Sequence, residues 1–280
     1  MTATPRRPSM PLRPGLLVLA VALLAGCASG PETFSTAQAA YERGVEATDR
    51  GRHERAVELF RAALDFGRTS ELAADAQIAL ARAYAADGQY LLAGNEFTRF
   101  IEFYRGDPRI EVAAYERIEA YAALSPRYEL DQTDTRQALG YIRAYLQQYP
   151  ESENAEAAAD LAASLREKLA RKLFETGRLY ERRELFEAAV LTYRDVLAQY
   201  PTSDYADDAL ASAVRAQTLF AEGSVARQQA ARFQEALRIY DQLTTLFPNS
   251  PLLRDAEVEY DRAYAGWQRT GGAPEASAGR

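Results

Sequence analysis

The stretch that decides the fold runs from Tyr180 to Pro201 and reads YERRELFEAAVLTYRDVLAQYP. Its first residues form a polar turn, and the residues that follow have the apolar spacing of a helix. Ala189 and Tyr193 stand four positions apart, so they share one face of that helix. The small alanine lets a neighbouring helix approach, and the ring fills the space beside it. Pro201 has no backbone N–H, so the helix ends before it.

The same layout recurs along the chain. The pairs formed by an alanine and a large residue four positions later are Ala56/Phe60, Ala93/Phe97, Ala138/Ile142, Ala189/Tyr193 and Ala236/Tyr240. Prolines that are expected to end helices stand at Asp107-Pro108, Tyr149-Pro150, Tyr200-Pro201 and Phe247-Pro248. No stretch alternates with period two for long enough to predict a strand. A single helical hairpin cannot bury its apolar face alone, so the repeats predict a stack of hairpins.

This pattern resembles tetratricopeptide repeats, and Gly44 and Gly177 fall at the small position of the first helix. The spacing is longer than the ideal of about 34 residues, because Pro150 and Pro201 lie 51 residues apart. We predict an all-α, tetratricopeptide-like α-solenoid of about five helix pairs plus a C-terminal capping helix. The pairs are expected at 37–70, 72–106, 110–149, 153–200 and 206–247, with the cap at 251–269 and an insertion from Leu124 to Gln132.

The first 26 residues have the layout of an export signal. Three arginines precede an apolar run from Gly15 to Leu24, and this run is shorter than the roughly 20 residues that span a bilayer. Residues 24–27 read LAGC, which resembles the bacterial lipobox. We predict cleavage between Gly26 and Cys27 and lipidation of Cys27 by fatty acids such as palmitate, which anchors the chain to a membrane. A plain secretory signal is the alternative.

These features predict the domain organisation of the chain. Residues 1–26 are expected to form the lipoprotein signal peptide. Residues 27–36 are expected to hold the lipidated cysteine and a flexible tether. The α-solenoid is expected over 37–269, and the Gly-, Ala- and Ser-rich tail over 270–280 is expected to be disordered.

Composition and charge exclude several classes of function. Formal net charge is −7 over 280 residues, and removal of residues 1–26, which carry three arginines and no acid, makes it −10. A body this acidic is a poor match for nucleic acid. Cys27 and His53 are the only cysteine and histidine, so the chain lacks the ligands for a zinc site built from these residues. We predict no metal, no cofactor and no catalytic residue.

A more specific resemblance lies between Ser125 and Leu210. The segments that carry it are RYELDQT at 127–133, YPES at 149–152, LARKLFE at 169–175, YERRELFEAA at 180–189 and YPTS at 200–203. They resemble the BamD family of outer-membrane protein assembly lipoproteins. Asp131-Gln132-Thr133, just before a helix, is the most specific piece. Thr133 is expected to cap that helix, and Asp134 to lie in its first turn.

The resemblance implies a scaffold at the periplasmic face of the outer membrane. It implies binding to the periplasmic domains of BamA, chiefly through the C-terminal repeats, and contact with the other Bam lipoproteins. The N-terminal repeats would receive unfolded barrel precursors. Many relatives carry an arginine early in the second helix of the fourth repeat. Thr192 stands there in this chain, with Arg194 nearby, so these two residues are the predicted partner contact.

The predicted groove for unfolded precursors is formed by the first helices of the first two repeats. Its candidate residues are Gln38, Tyr41, Val45, Asp75, Ile78 and Arg82. An alternative is that several of them are ordinary packing residues. Two other functions remain open at this point. One is another repeat lipoprotein, such as a secretin pilotin or a cell-wall assembly adaptor, and the other is an envelope enzyme that uses carboxylates alone.

Overall fold

The computed structural model describes residues 33–67 and 69–271, and these residues form eleven α-helices and no strand. The helices are α1 (Ala37–Asp49), α2 (His53–Leu64), α3 (Ala73–Ala86), α4 (Tyr90–Phe103), α5 (Ile110–Ala123), α6 (Thr133–Gln148), α7 (Ala155–Arg182), α8 (Phe186–Gln199), α9 (Ala206–Glu222), α10 (Ala226–Leu246) and α11 (Leu253–Arg269). Each consecutive pair packs into a hairpin, so that the hairpins form five units, from unit one (α1 and α2) to unit five (α9 and α10), and α11 covers the last one. The predicted all-α solenoid of five pairs and a capping helix is confirmed.

The repeated alanines lie in the core. All five are fully buried, and the rings of Phe60, Phe97 and Tyr193 that follow them are at most 2% exposed. The fifth pair differs from the prediction, because Tyr240 is only half-buried and its ring packs against Tyr260, with 4.7 Å between centroids. Phe233, one turn before Ala236, is the buried ring of the fifth unit.

Two features account for the long spacing of the repeats. Helix α7 has 28 residues, whereas the other first helices have 13 to 17. The predicted insertion is also present, because α5 ends at Ala123 and α6 begins at Thr133. The predicted cap at Thr133 is wrong, since this residue is the first of the helix. Its backbone N–H donates to Oδ1 of Asp131 at 2.8 Å, and Gln132 occupies the N-cap position without a side-chain capping hydrogen bond.

The insertion is held against α7 by the only two lysines of the chain. Nζ of Lys168 donates to Oγ of Ser125 at 2.7 Å. Nζ of Lys172 donates to the backbone carbonyls of Tyr128, Glu129 and Leu130 at 3.1, 3.3 and 2.8 Å. The insertion is therefore fixed at both its start and its middle.

The first described residues fold onto the body. Phe34 packs against the core of the first two units, and the Thr36 side chain accepts a hydrogen bond from the backbone N–H of Ala39, which caps α1. The last residues assigned to the tether thus belong to the folded part. Cys27 and residues 1–26 lie outside the described residues, as do residues 272–280. In the described part of the chain, no helix is both long and apolar enough to span a bilayer.

Candidate protein-binding groove

The first helices of units two and three meet through charged side chains. Arg109, which immediately precedes α5, donates from Nη1 to Oδ1 of Asp75 on α3 at 2.7 Å. The same guanidinium donates to both oxygens of Asp107 at 2.9 and 2.7 Å. The hydrogen bonds from Arg109 lower the pKa of Asp107. This arginine therefore ties the second unit to the third.

A second link joins α3 to α5. Arg82 donates from Nε and Nη2 to the two carboxylate oxygens of Glu116, at 2.9 and 2.8 Å. This fork geometry is the strongest that an arginine and a carboxylate form. The Arg82 side chain is 50% exposed and that of Glu116 is 23% exposed, so the pair lies on a surface that a partner can reach.

Tyr41 brings α1 to the same surface. Its ring packs on Phe60, with 5.6 Å between centroids. Burial and then the negative charge of Asp75 raise the pKa of Tyr41, and the charges of Arg109 and Arg82 oppose this shift. Three successive first helices thus contribute to one polar surface with a half-buried ring at its end.

The other predicted groove residues divide into two groups. Gln38 is exposed and donates to Glu42 on its own helix at 2.6 Å, and Val45 is 38% exposed. Ile78 is 3% exposed and belongs to the core shared by units one and two. Its predicted place on the groove surface is therefore not what the structure shows, because α3 turns this side chain inward.

Arg109 and Glu116, the partners that complete the groove, were not predicted from the sequence. Each lies 34 residues from a side chain of opposite charge, Arg109 from Asp75 and Glu116 from Arg82. Glu181 and Arg215, which join α7 to α9 outside the groove, have the same separation. This separation equals the length of an ideal tetratricopeptide repeat. A search for opposite charges 34 positions apart would have found them.

The predicted partner contact lies on α8. Thr192 is half-buried and donates to the carbonyl of Ala188 on its own helix at 2.8 Å. Arg194 is exposed and donates to Oε1 of Glu235 on α10 at 2.8 Å. Leu191 beside it is 60% exposed. Leu191 and Arg194 line a cavity of about 370 Å³ together with Gln242 of α10.

The stacked hairpins define a tetratricopeptide-like repeat protein, and the described residues hold no cluster of three or more His, Cys, Asp or Glu that suits a metal ion. Over residues 34–231 the chain matches the family described as outer membrane lipoprotein, YfiO, and it belongs to that family. A curated relative, the outer membrane protein assembly factor BamD of Caulobacter vibrioides, is 28% identical over 213 residues, which cover 75% of this chain and 70% of the relative. The predicted resemblance is confirmed.

Solved structures of repeat proteins also resemble the chain. One is a TPR-repeat protein from Bacteroides fragilis, 13% identical, covering 83% of this chain and 99% of that one, with a TM-score of 0.43. Another is the TPR2AB domain of yeast Sti1, 17% identical, covering 81% of this chain and 98% of that one, with a TM-score of 0.39.

Proposed function

We propose that the chain is a non-catalytic scaffold of the outer-membrane β-barrel assembly (Bam) complex. Lipid on Cys27 anchors it to the periplasmic face of the outer membrane. Its partners are the periplasmic domains of BamA, the other Bam lipoproteins and unfolded barrel precursors. The family match and the BamD relative support this role. The observation that carries it is the continuous polar surface across α1, α3 and α5, which offers hydrogen-bonding groups on three successive units.

The groove suits a chain that has not yet folded. An unfolded barrel segment exposes backbone N–H and C=O groups together with alternating apolar side chains. The Arg82–Glu116 pair and Asp75 supply donors and acceptors for the backbone. Val45 and the ring of Tyr41 supply shallow apolar contact. Recognition through many weak contacts accepts precursors of different sequence.

The groove is tested with a labelled segment from the last strand of an outer-membrane barrel. The double variant Tyr41→Ala, Arg82→Ala is expected to bind it at least tenfold more weakly by fluorescence polarisation. The matched control is Tyr90→Ala, Arg105→Ala. Tyr90, at the start of the other helix of unit two, is 37% exposed, and Arg105 is exposed in the turn after that helix. Equal affinities of the two variants would remove the groove from the proposal.

The C-terminal contact is tested by purification from membranes. The cavity beside Arg194 has a charged wall and an exposed leucine, which is a combination found in protein interfaces. Arg194→Glu is expected to lower recovery of BamA at least fivefold, whereas Arg227→Glu, an exposed change near the start of α10, leaves it unchanged. Recovery of a secretin or of peptidoglycan enzymes in place of BamA would contradict the assembly role.

The anchor is tested separately from the partners. Cys27→Ser removes the only thiol of the chain, so no acyl chain can be attached by the lipoprotein pathway. The variant is expected to move from the outer-membrane fraction to the soluble periplasmic fraction, as followed by immunoblotting. An unchanged membrane fraction in cells that lack the partners would contradict lipid anchoring through this residue.

A further inference from the structure

A cleft of about 610 Å³ lies between the insertion and the turn that leads into α9. One wall is the insertion, with Arg127 and Tyr128. The floor is the middle of α7, and the opposite wall is formed by Asp204 and Tyr205. The volume is within the range of pockets that hold ligands. Lys168 and Lys172 fix the insertion wall against α7 by hydrogen bonds to Ser125 and to the carbonyls of residues 128–130.

Charge is divided across the cleft. On the insertion side, the Arg171 guanidinium lies 4.2 Å from the centroid of the Tyr128 ring, and Lys168 bonds to Ser125. Arg127 is a third cation on this side, where Glu129 is the one acid. On the turn side, Oε2 of Glu167 accepts from the backbone N–H of Asp204 at 3.3 Å. One wall is therefore mainly cationic and the other is anionic.

These charges lack partners of opposite sign. In the described part of the chain, none of the cleft residues forms an ion pair, although ion pairs link neighbouring units elsewhere. Oε1 of Glu167 is buried and has no hydrogen-bond partner among the described residues. Burial also lowers the pKa of Lys168. No ion pair among the described residues therefore has to break before the charged groups of the cleft meet a ligand.

The dimensions suit an extended backbone. Ser164, Lys168 and Arg171 form the floor, and the seven helical steps from the first to the last cover about 10 Å at 1.5 Å each. Three residues of extended chain cover the same length at about 3.3 Å each. Successive side chains of an extended chain point to opposite sides. Each wall also carries one half-buried tyrosine, Tyr128 and Tyr205, against which aliphatic stems can pack.

We propose that this cleft binds an extended polypeptide segment in which acidic and basic residues alternate. The acidic side chains point to the Arg127 and Arg171 wall, and the basic side chains point to Glu167 and Asp204. The site lies on units three to five, whereas the groove of α1, α3 and α5 lies on units one to three. Its ligand is therefore a partner segment of alternating charge, distinct from the barrel segment with alternating apolar side chains that we expect in the groove.

Two fluorescein-labelled peptides of identical composition test this proposal with the full-length lipidated protein in detergent. In the first, two glutamates and two arginines alternate between glycine and serine ends, and in the second the glutamates precede the arginines. The alternating peptide is expected to bind at least fivefold more tightly by fluorescence polarisation. Equal affinities would overturn the proposal, and this comparison needs no variant that could fail to fold.

Variants then locate the binding. Arg171→Gln and Glu167→Gln are each expected to lower the affinity for the alternating peptide at least fivefold. Arg178→Gln, two turns further along the same helix and outside the cleft, is the matched control and leaves affinity unchanged. The Tyr41→Ala, Arg82→Ala variant is expected to keep its preference for the alternating peptide over the second peptide. The test of the cleft is therefore independent of the test of the groove. Loss of the preference in the control variant would place the site elsewhere.

Discussion

Gly177 and Tyr193 are in direct contact, and a Cβ atom at position 177 would lie 2.6 Å from Cε1 of the tyrosine ring. The ring is fully buried, and its hydroxyl donates to Oε2 of Glu181 at 2.8 Å. The ring is therefore held on two sides and cannot move away. Helices α7 and α8 approach this closely because residue 177 has no side chain. Gly44 and Phe60 repeat the same contact in the first unit.

Gly177→Ala is expected to lower the free energy of unfolding by about 1–3 kcal/mol, which is typical of an overpacked core. The control is Gly140→Ala in α6, where an added Cβ meets nothing within 4 Å. That change is expected to leave stability unchanged or raise it by up to about 1 kcal/mol, because alanine favours helix. Urea unfolding followed by circular dichroism measures both, and equal losses would contradict the close contact.

Glu184 lies in the turn between α7 and α8 with a φ of 59°. The corresponding turns of the first two units place Gly51 and Gly88 in this left-handed region, at 68° and 75°. A side chain in this conformation costs about 1 kcal/mol. Glu184→Gly is expected to raise the free energy of unfolding by up to about 1 kcal/mol, whereas Glu184→Val lowers it. A stabilising valine would show that the turn is not strained.

Glu111 ties unit three to the start of α7. Its Oε1 accepts hydrogen bonds from Oγ of Ser152 at 2.6 Å and from the Tyr145 hydroxyl at 2.8 Å. These two bonds, the Ser152 bond most of all, lower the pKa of Glu111. The folded pKa lies below the unfolded value, which is about 4.3. The stabilisation is therefore complete above that value and is lost as the pH falls through the folded pKa.

Glu111→Gln removes this titrating group. At pH 7 the variant is expected to be less stable by about 1 kcal/mol, as for the loss of a charge-assisted hydrogen bond. The difference in free energy of unfolding between the wild type and the variant is expected to narrow as the pH falls below 4, since the wild-type carboxylate then becomes neutral. Urea unfolding at pH 7 and pH 3 measures this difference. Glu156→Gln, an exposed change at the start of α7, is the control. A stability difference that stays constant with pH would contradict the claim that hydrogen bonds to the ionised Glu111 stabilise the fold.

Lys172→Met is expected to loosen the insertion while it keeps the aliphatic stem of the lysine. The variant lacks the ammonium that donates to the carbonyls of Tyr128, Glu129 and Leu130. Trypsin is then expected to cleave after Arg127 several times faster than in the unchanged chain, because local opening controls proteolysis of a folded protein. Mass spectrometry of a time course identifies the cut. Arg178→Met is the control. Equal rates of cleavage after Arg127 in both variants would mean that Lys172 does not hold the insertion.

The helical pairs could be predicted because their signal is local. Two residues four apart share a helix face whatever surrounds the helix, so Ala189 and Tyr193 mark a buried face from sequence alone. The same reasoning was incomplete at Tyr240, whose ring packs against Tyr260 of α11 but is only half-buried. At Ile78 the predicted groove position was wrong, because α3 turns this side chain into the core. At Thr133 the helix start was correct to within one residue, but the capping group was misassigned.

The sequence by itself determined the all-α class, the number of hairpins, the insertion and the family. Only the tertiary structure decided which side chains meet across units, such as Arg82 with Glu116 and Arg109 with Asp75. It also decided that the insertion folds beside α7 and leaves a cleft with walls of opposite charge. Helix formation depends on neighbours within one or two turns, whereas these contacts depend on the rotation between units and on the path of a turn. That path is set by two lysines more than 40 positions further along the chain.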